Sequence, residues 1–93
     1  MKYARNEERV TFAITAENAA NVLPRVVMLL HRLQVDIHAV SMIRRERSAT
    51  TRIFVTTLAK DQKVARIQAS LSNLVEVRAV SSRRVGEKGV PDP

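Results

Sequence analysis

The sequence predicts an α+β domain whose elements follow the order β-α-β-β-α-β. Three observations support this prediction: several segments alternate apolar and polar residues, two segments place apolar residues three and four apart, and the chain has 93 residues, which suits one domain. Apolar residues make up 45% of the chain but aromatic residues only 3%, so the core must be built from Val, Ile, Leu and Ala.

The first strand and the first helix are predicted in the N-terminal third of the chain. Arg9 to Ala16 alternates as a half-buried strand does, with Val10, Phe12 and Ile14 on one side. A helix is predicted from Val22 to Gln34. The residues expected on its apolar face are Leu23, Val26, Val27, Leu30 and Leu33, and Met28 and Leu29 widen that face. The added width fits either a deeply buried helix or contact with a second chain.

The start of this helix has recognisable signals. Asn21 can cap the helix, because its side chain can accept a hydrogen bond from an amide of the first turn. Pro24 is tolerated there, because its missing N–H would have no partner within the helix.

A hairpin and a second helix are predicted next. Strands are expected over Val35 to Arg47 and Thr51 to Ala59, joined at Ser48 to Thr50, and a helix begins at Asp61. The inward residues of the first hairpin strand are predicted to be Ile37, Ala39, Ser41 and Ile43, and those of the second are Ile53 and Val55. The apolar steps of the helix are Val64, Ile67, Leu71 and Leu74.

The last strand is predicted from Leu74 to Ser82, with Val75 and Val77 inward. The complete order is that of the ferredoxin-like fold, a four-stranded antiparallel sheet with both helices on one face. The other face is expected to be moderately apolar, which indicates that something covers it or that sheets pair edge to edge. Its expected apolar residues are Ala13, Val40, Met42, Leu58 and Val80.

Outside this domain the sequence predicts flexible ends. Residues 1–8 are expected to be a flexible N-terminus, residues 9–82 the domain, and residues 83–93, with two Gly and two Pro, a disordered basic tail. No apolar run is long enough for a membrane span, and no leader pattern begins the chain, so we expect a cytoplasmic protein.

The formal net charge of +7 leaves a nucleic-acid partner open as an alternative. RNA-recognition modules share this element order, and they stack bases on several aromatic residues of the central strands. Here those strands offer Phe12, which alternates with the core, and Phe54. A solvated basic surface is therefore the favoured explanation of the charge.

Nothing in the sequence predicts catalysis or metal binding. The chain has no Cys, and its two Gly residues lie at positions 86 and 89, so neither a thiolate site nor a Gly-rich phosphate loop is expected. A site built on His31 and His38 would need a third ligand, and Asp36 and Glu46 show no metal-binding spacing. We expect a protein that binds rather than catalyses.

The turn from Glu17 to Asn21 suggests a ligand. It joins a strand to a helix N-terminus, where free backbone N–H groups favour a carboxylate, and Asn18 and Asn21 add polar side chains. Asp36 could accept a hydrogen bond from an ammonium group, and the two receptors together would suit a free amino acid. Simple capping and turn chemistry explains the same residues and is favoured on them alone.

Three segments resemble the small subunits of acetolactate synthase, from Asn21 to Val40, from Arg52 to Val55, and from Ile67 to Val80 with its Leu-Val-Glu-Val sequence. The resemblance covers about Arg9 to Ser82. It implies an ACT domain of the short, single-domain form. It also implies a side-by-side homodimer that binds and activates a catalytic large subunit. Thiamine diphosphate, Mg²⁺ and FAD are expected on that subunit only.

The resemblance further implies that valine or a related amino acid binds at the dimer interface and transmits feedback. The residues at the positions that correspond to this site are Asn18, Asn21, Val22, Leu23, Asp36 and Ile37. Two of them depart from the family pattern, because Asn21 stands where the family usually has Gly and Asp36 where it usually has Asn. The resemblance therefore predicts activation first and amino-acid control second. A stand-alone ACT-domain amino-acid sensor and an RNA-binding ferredoxin-like domain are the alternatives.

Overall fold

The computed structural model of the chain describes residues 7–18 and 20–84. Its elements are β1 (Glu7–Glu17), α1 (Val22–Arg32), β2 (Asp36–Arg45), β3 (Thr50–Lys60), α2 (Asp61–Ser72) and β4 (Val77–Arg84). The strands form one antiparallel sheet in the order β2-β3-β1-β4. This arrangement confirms the predicted ferredoxin-like fold.

The core lies between the helices and one face of the sheet. α1 crosses from β1 to β2 and α2 crosses from β3 to β4, so α1 lies toward the β2 edge and α2 toward the β4 edge. Alternate residues of the two central strands face the helices, which is why their buried side chains are two residues apart. The buried core residues are Val10, Phe12, Ile14, Ala16, Val22, Val26, Leu29, Leu30, Ile53, Val55, Ala59, Ile67 and Leu71.

Both ends of the described domain extend beyond the predicted limits. β1 begins at Glu7 rather than Arg9, and β4 continues to Arg84 rather than ending at Ser82, because Val10 pairs with Arg84 and Thr11 with Arg83. Sheet pairing thus includes polar residues that the sequence pattern assigned to flexible ends. The remainder of the predicted N-terminus and tail, residues 1–6 and 85–93, lies outside the described residues.

α1 ends in a left-handed turn two residues earlier than predicted. Gln34 has a φ of 59°, its N–H donates to the carbonyl of His31, and the N–H of Val35 donates to the carbonyl of Leu30. This double hydrogen bond is the Schellman arrangement, which satisfies the last helical carbonyls. The sequence has no Gly at this position, so it lacks the usual signal that predicts where a helix ends.

A bulge at His38 makes half of the predicted face assignment of β2 wrong. Ile37 pairs with Thr57 and Ala39 pairs with Thr56, so His38 is an extra residue without a partner in the register. One inserted residue exchanges the two faces of the strand beyond it. Only Ile37 of the four predicted inward residues faces the helices. The residues found instead on the open face, the sheet face opposite the helices, are Ala39, Ser41 and Ile43.

The bulge also changes the predicted composition of the open face. Val40 lies opposite Val55 and Met42 opposite Ile53, so both lie on the helix side of the sheet. Val80, on β4, lies opposite Ile14 and packs against the core, because the register between β1 and β4 shifts between Thr15 and Ala16. Of the five apolar residues predicted for the open face, Ala13 and Leu58 remain there, and Ala39, Ile43 and Phe54 lie there as well.

The start of β4 was also predicted too early. Val75 lies in the turn that follows α2, and 85% of its surface is exposed, so it is not an inward strand residue. Val77 is partly buried against the core, as predicted. Of the helices in the described part of the chain, neither α1 nor α2 has the length and apolarity that a membrane span requires.

Candidate functional site

Asn18 joins the end of β1 to the hairpin between β2 and β3. Its backbone N–H donates to the carbonyl of Ala49 over 3.1 Å, and its side-chain Nδ2 donates to the carbonyl of Arg45 over 3.4 Å. Its Oδ1 accepts a hydrogen bond from the hydroxyl of Thr51, which is 2% exposed. Asn18 therefore holds the hairpin in place, and one amide hydrogen is left for a ligand.

The first turn of α1 lacks the cap that the sequence predicted. Asn21 occupies the cap position and its carbonyl accepts from the N–H of Arg25 over 3.2 Å, but its side chain makes no capping hydrogen bond. The amides at the start of the helix are thus not satisfied by Asn21, and they carry the positive end of the helix dipole. Val22 is buried in the core and Leu23 is partly buried, so both support the turn from below.

A buried carboxylate beside this turn was not predicted as a site residue. The Glu76 side chain is 12% exposed, and its Oε2 lies 3.4 Å from the guanidinium of Arg25. Its backbone carbonyl accepts from the N–H of Glu17 over 2.9 Å, and its Oε1 is buried with no hydrogen-bond partner among the described residues. The sequence feature that could have identified Glu76 is its position as the one acidic residue of the apolar segment Leu-Val-Glu-Val.

The other two predicted site residues lie at the opposite end of the sheet. Asp36 begins β2, its side chain is well exposed, and its carboxylate lies 3.3 Å from Nε2 of His38. Ile37 is half-buried. Asp36 pairs with Leu58, whereas Glu17, next to Asn18, pairs with Thr50. These positions are separated by about 26 Å along β3 at a rise of about 3.3 Å per residue.

One copy of the chain therefore brings Asn18, Asn21, Val22 and Leu23 together and leaves Asp36 and Ile37 apart from them. The two groups are connected by β2, an edge strand that starts at Asp36 and ends next to the carbonyl that Asn18 binds. A single ligand the size of an amino acid cannot contact both groups in one chain.

Apolar side chains are exposed along this same edge. Val40 and Met42 on β2 are 41% and 44% exposed, since neither helix covers them. α1 adds Val27 and Met28, and the exposure of Met28 is 68%. We call these four side chains the apolar edge. The sequence did not decide whether Leu29 lies in the core or contacts a second chain. The structure buries it in the core of its own chain.

The open face has a different character. Its side chains on β1 and β3 include Thr11 and Thr56, whose hydroxyls are 2.9 Å apart, and Arg52, whose guanidinium carbon lies 5.2 Å from the centroid of the Phe54 ring. Phe12 is fully buried on the other side. Among the residues the structure describes, Phe54 is thus the single aromatic residue of this face, fewer than a base-stacking surface needs.

The structure also locates the histidines. His31 is exposed on α1 and His38 is the bulge residue of β2. Within residues 7–18 and 20–84, no group of three or more His, Cys, Asp or Glu side chains is placed to hold a metal ion.

Comparison with protein-family models found no match, and comparison with curated proteins found none. Solved structures do match. The acetolactate synthase small subunit of Thermotoga maritima superposes with a TM-score of 0.74 and 18% identity. That match covers 87% of this chain and 49% of the other, so the chain spans about half of that subunit.

Two further structures match over nearly their full length. The ACT domain of the GTP pyrophosphokinase of Chlorobium tepidum has a TM-score of 0.72 and 10% identity, with 83% of this chain and 99% of that domain covered. An uncharacterised protein of Thermotoga maritima has a TM-score of 0.69 and 18% identity, covering 84% and 96%. At these identities the comparisons show the fold, which is that of an ACT domain.

Proposed function

We propose that the chain is the regulatory small subunit of an acetolactate synthase and that it activates the thiamine-diphosphate-dependent catalytic subunit. The observation that carries the proposal is the sequence resemblance, above all the segment from Ile67 to Val80 with its Leu-Val-Glu-Val sequence. The ACT fold and the likeness to the Thermotoga small subunit support it. Thiamine diphosphate, Mg²⁺ and FAD would belong to the catalytic subunit.

Two copies of the chain form the proposed regulatory unit. β2 is an edge strand of 10 residues, and the apolar edge beside it leaves Val40 and Met42 uncovered. A second copy related by a two-fold axis would pair β2 with β2 in antiparallel fashion and would bury both apolar edges. Each fully buried Val or Met side chain stabilises by about 1.5–3 kcal/mol, so eight half-exposed side chains would hold a dimer.

The same pairing would complete an amino-acid site at each end of the joined strands. Antiparallel pairing places the start of one β2 beside the end of the other, so Asp36 of the second copy would approach the hairpin where Asn18 binds the Arg45 carbonyl. The carboxylate of an amino acid would then face the uncapped amides of α1, and its ammonium group would face Asp36.

Two residues shape what this site would accept. Asn21 has a side chain where Gly would let the ligand approach the backbone closely, and Asp36 adds a negative charge at the position that receives the ammonium group. Because the Asn21 side chain restricts that close approach, we propose weak amino-acid control, with activation as the main effect.

Activation has a thermodynamic requirement. The chain raises activity only if it binds the active conformation of the catalytic subunit more tightly than the inactive one, and each tenfold shift requires about 1.4 kcal/mol of differential binding. By reciprocity of binding free energies, an amino acid that weakens the complex must itself bind the free chain more tightly than the complex.

The test of the proposed function is reconstitution. The purified chain is added in increasing amounts to the purified catalytic subunit from the same source, and acetolactate formation is followed. We expect a severalfold rise that saturates at a fixed ratio of the two chains. A rate that does not change at any ratio would exclude the proposal and leave the stand-alone amino-acid sensor as the working hypothesis.

Amino-acid control is tested separately by calorimetry. Valine, leucine and isoleucine are titrated into the chain, with Asn21→Gly as the matched variant that restores the family residue. We expect weak binding at millimolar ligand and tighter binding to the variant. If neither protein releases heat with any of the three, amino-acid control is excluded and activation is unaffected.

A further inference from the structure

Arg52, on the open face, has a hydrogen-bond donor with no acceptor. Its guanidinium is stacked on the ring of Phe54, and its Nε is buried without a hydrogen-bond partner among the residues that the structure describes. A buried donor without an acceptor is unfavourable, and a carboxylate that pairs with the remaining donors of the same guanidinium would offset part of that cost. The guanidinium lies over the Phe54 ring, and its planar fork of donors matches a planar, two-oxygen acceptor such as a carboxylate.

The surroundings of Arg52 and Phe54 leave room for such a partner. By the sheet register, Ser41 and Ala13 flank Phe54, while Ile43 and Thr15 flank Arg52. The next strand, β4, continues these rows with Ser81 and Ala79. Small side chains let another surface approach the sheet closely, and the exposed Ile43 adds an apolar contact beside the arginine.

The charge of the face is positive. The register places five basic residues on it, Arg9, Arg45, Arg52, Lys60 and Arg83, and three acidic ones, Glu7, Glu17 and Asp36. Of these acids, Glu17 already has a cationic neighbour, since its carboxylate lies 3.4 Å from the guanidinium of Arg78. The face is therefore complementary to an acidic surface.

This charge decides between possible occupants. A second copy stacked face to face would oppose the same arginines to each other, which is unfavourable. A nucleic-acid strand would find Phe54 as its one stacking aromatic on the described face. An acidic protein surface could pair with the guanidinium, approach the rows of small side chains closely and complement the positive charge of the face.

We propose that the open face is the docking surface for the catalytic subunit and that an Asp or Glu of that subunit pairs with Arg52 over the Phe54 ring. The inference rests on the proposed function, because it requires a protein partner. It assigns different surfaces to the two kinds of contact: the apolar edge holds the second copy, and the open face holds the catalytic subunit.

The test compares variants of the two kinds of surface in binding to the purified catalytic subunit. Arg52→Gln removes the charge, and Arg52→Lys keeps the charge but removes the fork of donors. Ala79→Glu introduces an acidic group at an exposed position of the face, and Ala65→Glu makes the same change on the exposed side of α2 as a control. The dissociation constant and the unfolding temperature are measured for each.

We expect Arg52→Gln to weaken binding roughly tenfold to a hundredfold, because hydrogen bonds to charged groups are lost. Arg52→Lys should weaken binding almost as much as Arg52→Gln, since Lys lacks the paired donors of Arg. Ala79→Glu should weaken binding about tenfold by repulsion, and Ala65→Glu should leave it within about twofold. Because Ala79 lies on the surface, its variant keeps the test valid if the Arg52 variants unfold.

Three outcomes would overturn the inference. If the wild-type chain binds and the open-face variants bind equally well, docking occurs elsewhere and the proposed function stands. If the wild-type chain does not bind the catalytic subunit at all, the proposed function and the docking surface both fail. If the chain instead binds single-stranded oligo(U), with an affinity that falls steeply with salt and is lost in Ala79→Glu, the face is a nucleic-acid surface.

Discussion

The two edges of the sheet are finished in different ways. On the β4 edge, Gln68 of α2 donates to the carbonyl of Val80 over 3.3 Å, and Arg84 pairs with Glu8 over 2.7 Å and with Asp61. On the β2 edge, every residue except Ile37 is exposed, and the side facing the helices carries Val40 and Met42.

Both β2 and β4 are edge strands, so the difference lies in what protects their outer backbone groups. Exposed edges invite pairing with another chain unless helices, charges or bulges block it. β4 is flanked by α2 and ends at Arg84, which pairs with Glu8 and Asp61. β2 is apolar at its centre, and its bulge at His38 lies near one end. Side chains of its own chain thus cover β4, whereas β2 is the edge to which we assign the proposed second copy.

The largest expected effect concerns the closed edge. Ile67 of α2 is fully buried, so Ile67→Ala should lower the free energy of unfolding by about 2–5 kcal/mol through lost burial and a cavity. Urea unfolding measures it. Val75→Ala, at a turn residue that is 85% exposed, is the control and should stay within about 0.5 kcal/mol. Similar losses for both variants would mean that α2 does not seal this edge.

The next effect concerns the open edge. Met42→Asp places a carboxylate in the centre of the apolar edge, so it should weaken the dimer about a hundredfold while the fold is retained, as the residue is 44% exposed in the single chain. Sedimentation at a series of concentrations measures the dimer dissociation constant. Ser82→Asp, at an exposed position of β4, should leave that constant unchanged. Equal dimer dissociation constants for the two variants would contradict the assignment of β2 as the dimer edge.

Asn18→Ala sharpens the comparison at the hairpin that ends β2. It removes the acceptor of the Thr51 hydroxyl and the donor to the Arg45 carbonyl, so the free energy of unfolding should fall by about 1–3 kcal/mol. Asn73→Ala, at the exposed end of α2, is the control in the same urea measurement. A loss no larger than that of the control would show that Asn18 does not hold the hairpin.

The smallest effect concerns the ion pair beside the candidate site. Arg25→Ala leaves the mostly buried Glu76 carboxylate without its cation, and we expect a loss of about 1 kcal/mol because Arg25 itself is 44% exposed and screened by water. Arg32→Ala, on the exposed end of the same helix, should change stability by less than about 0.5 kcal/mol. Raising the salt concentration should shrink the difference between them.

Much of the fold was predictable because it follows from local periodicity. The alternation of Val10, Phe12 and Ile14 and the helical spacing of Ile67 and Leu71 place the same residues in the core that the structure buries. The order of elements and the pairing of the hairpin follow from these patterns and from short connections.

The features that sequence could not supply depend on single backbone choices. The bulge at His38 inverts the faces of β2, and the left-handed Gln34 ends α1 without a Gly. Neither has a residue signature, because His and Gln are not typical of those conformations. The extension of β4 to Arg84 arises from pairing with β1, a long-range contact.

The geometry around the predicted site residues could not be predicted from the sequence. The turn with Asn18 and Asn21 lies where the sequence places it, but Asn18 contacts the hairpin and Asn21 makes no cap. Asp36 lies at the far end of the sheet. The buried Glu76 was missed because an acidic residue in an apolar segment reads as a solvent-facing position of a strand.

The proposed joining of two copies along β2 is tested by the mass of the wild-type chain in solution. Sedimentation velocity at micromolar concentration, free of any ligand, gives that mass. The account predicts twice the chain mass of 10.5 kDa. A chain that remains at 10.5 kDa at every concentration would contradict it, because the two groups of candidate site residues would then never meet.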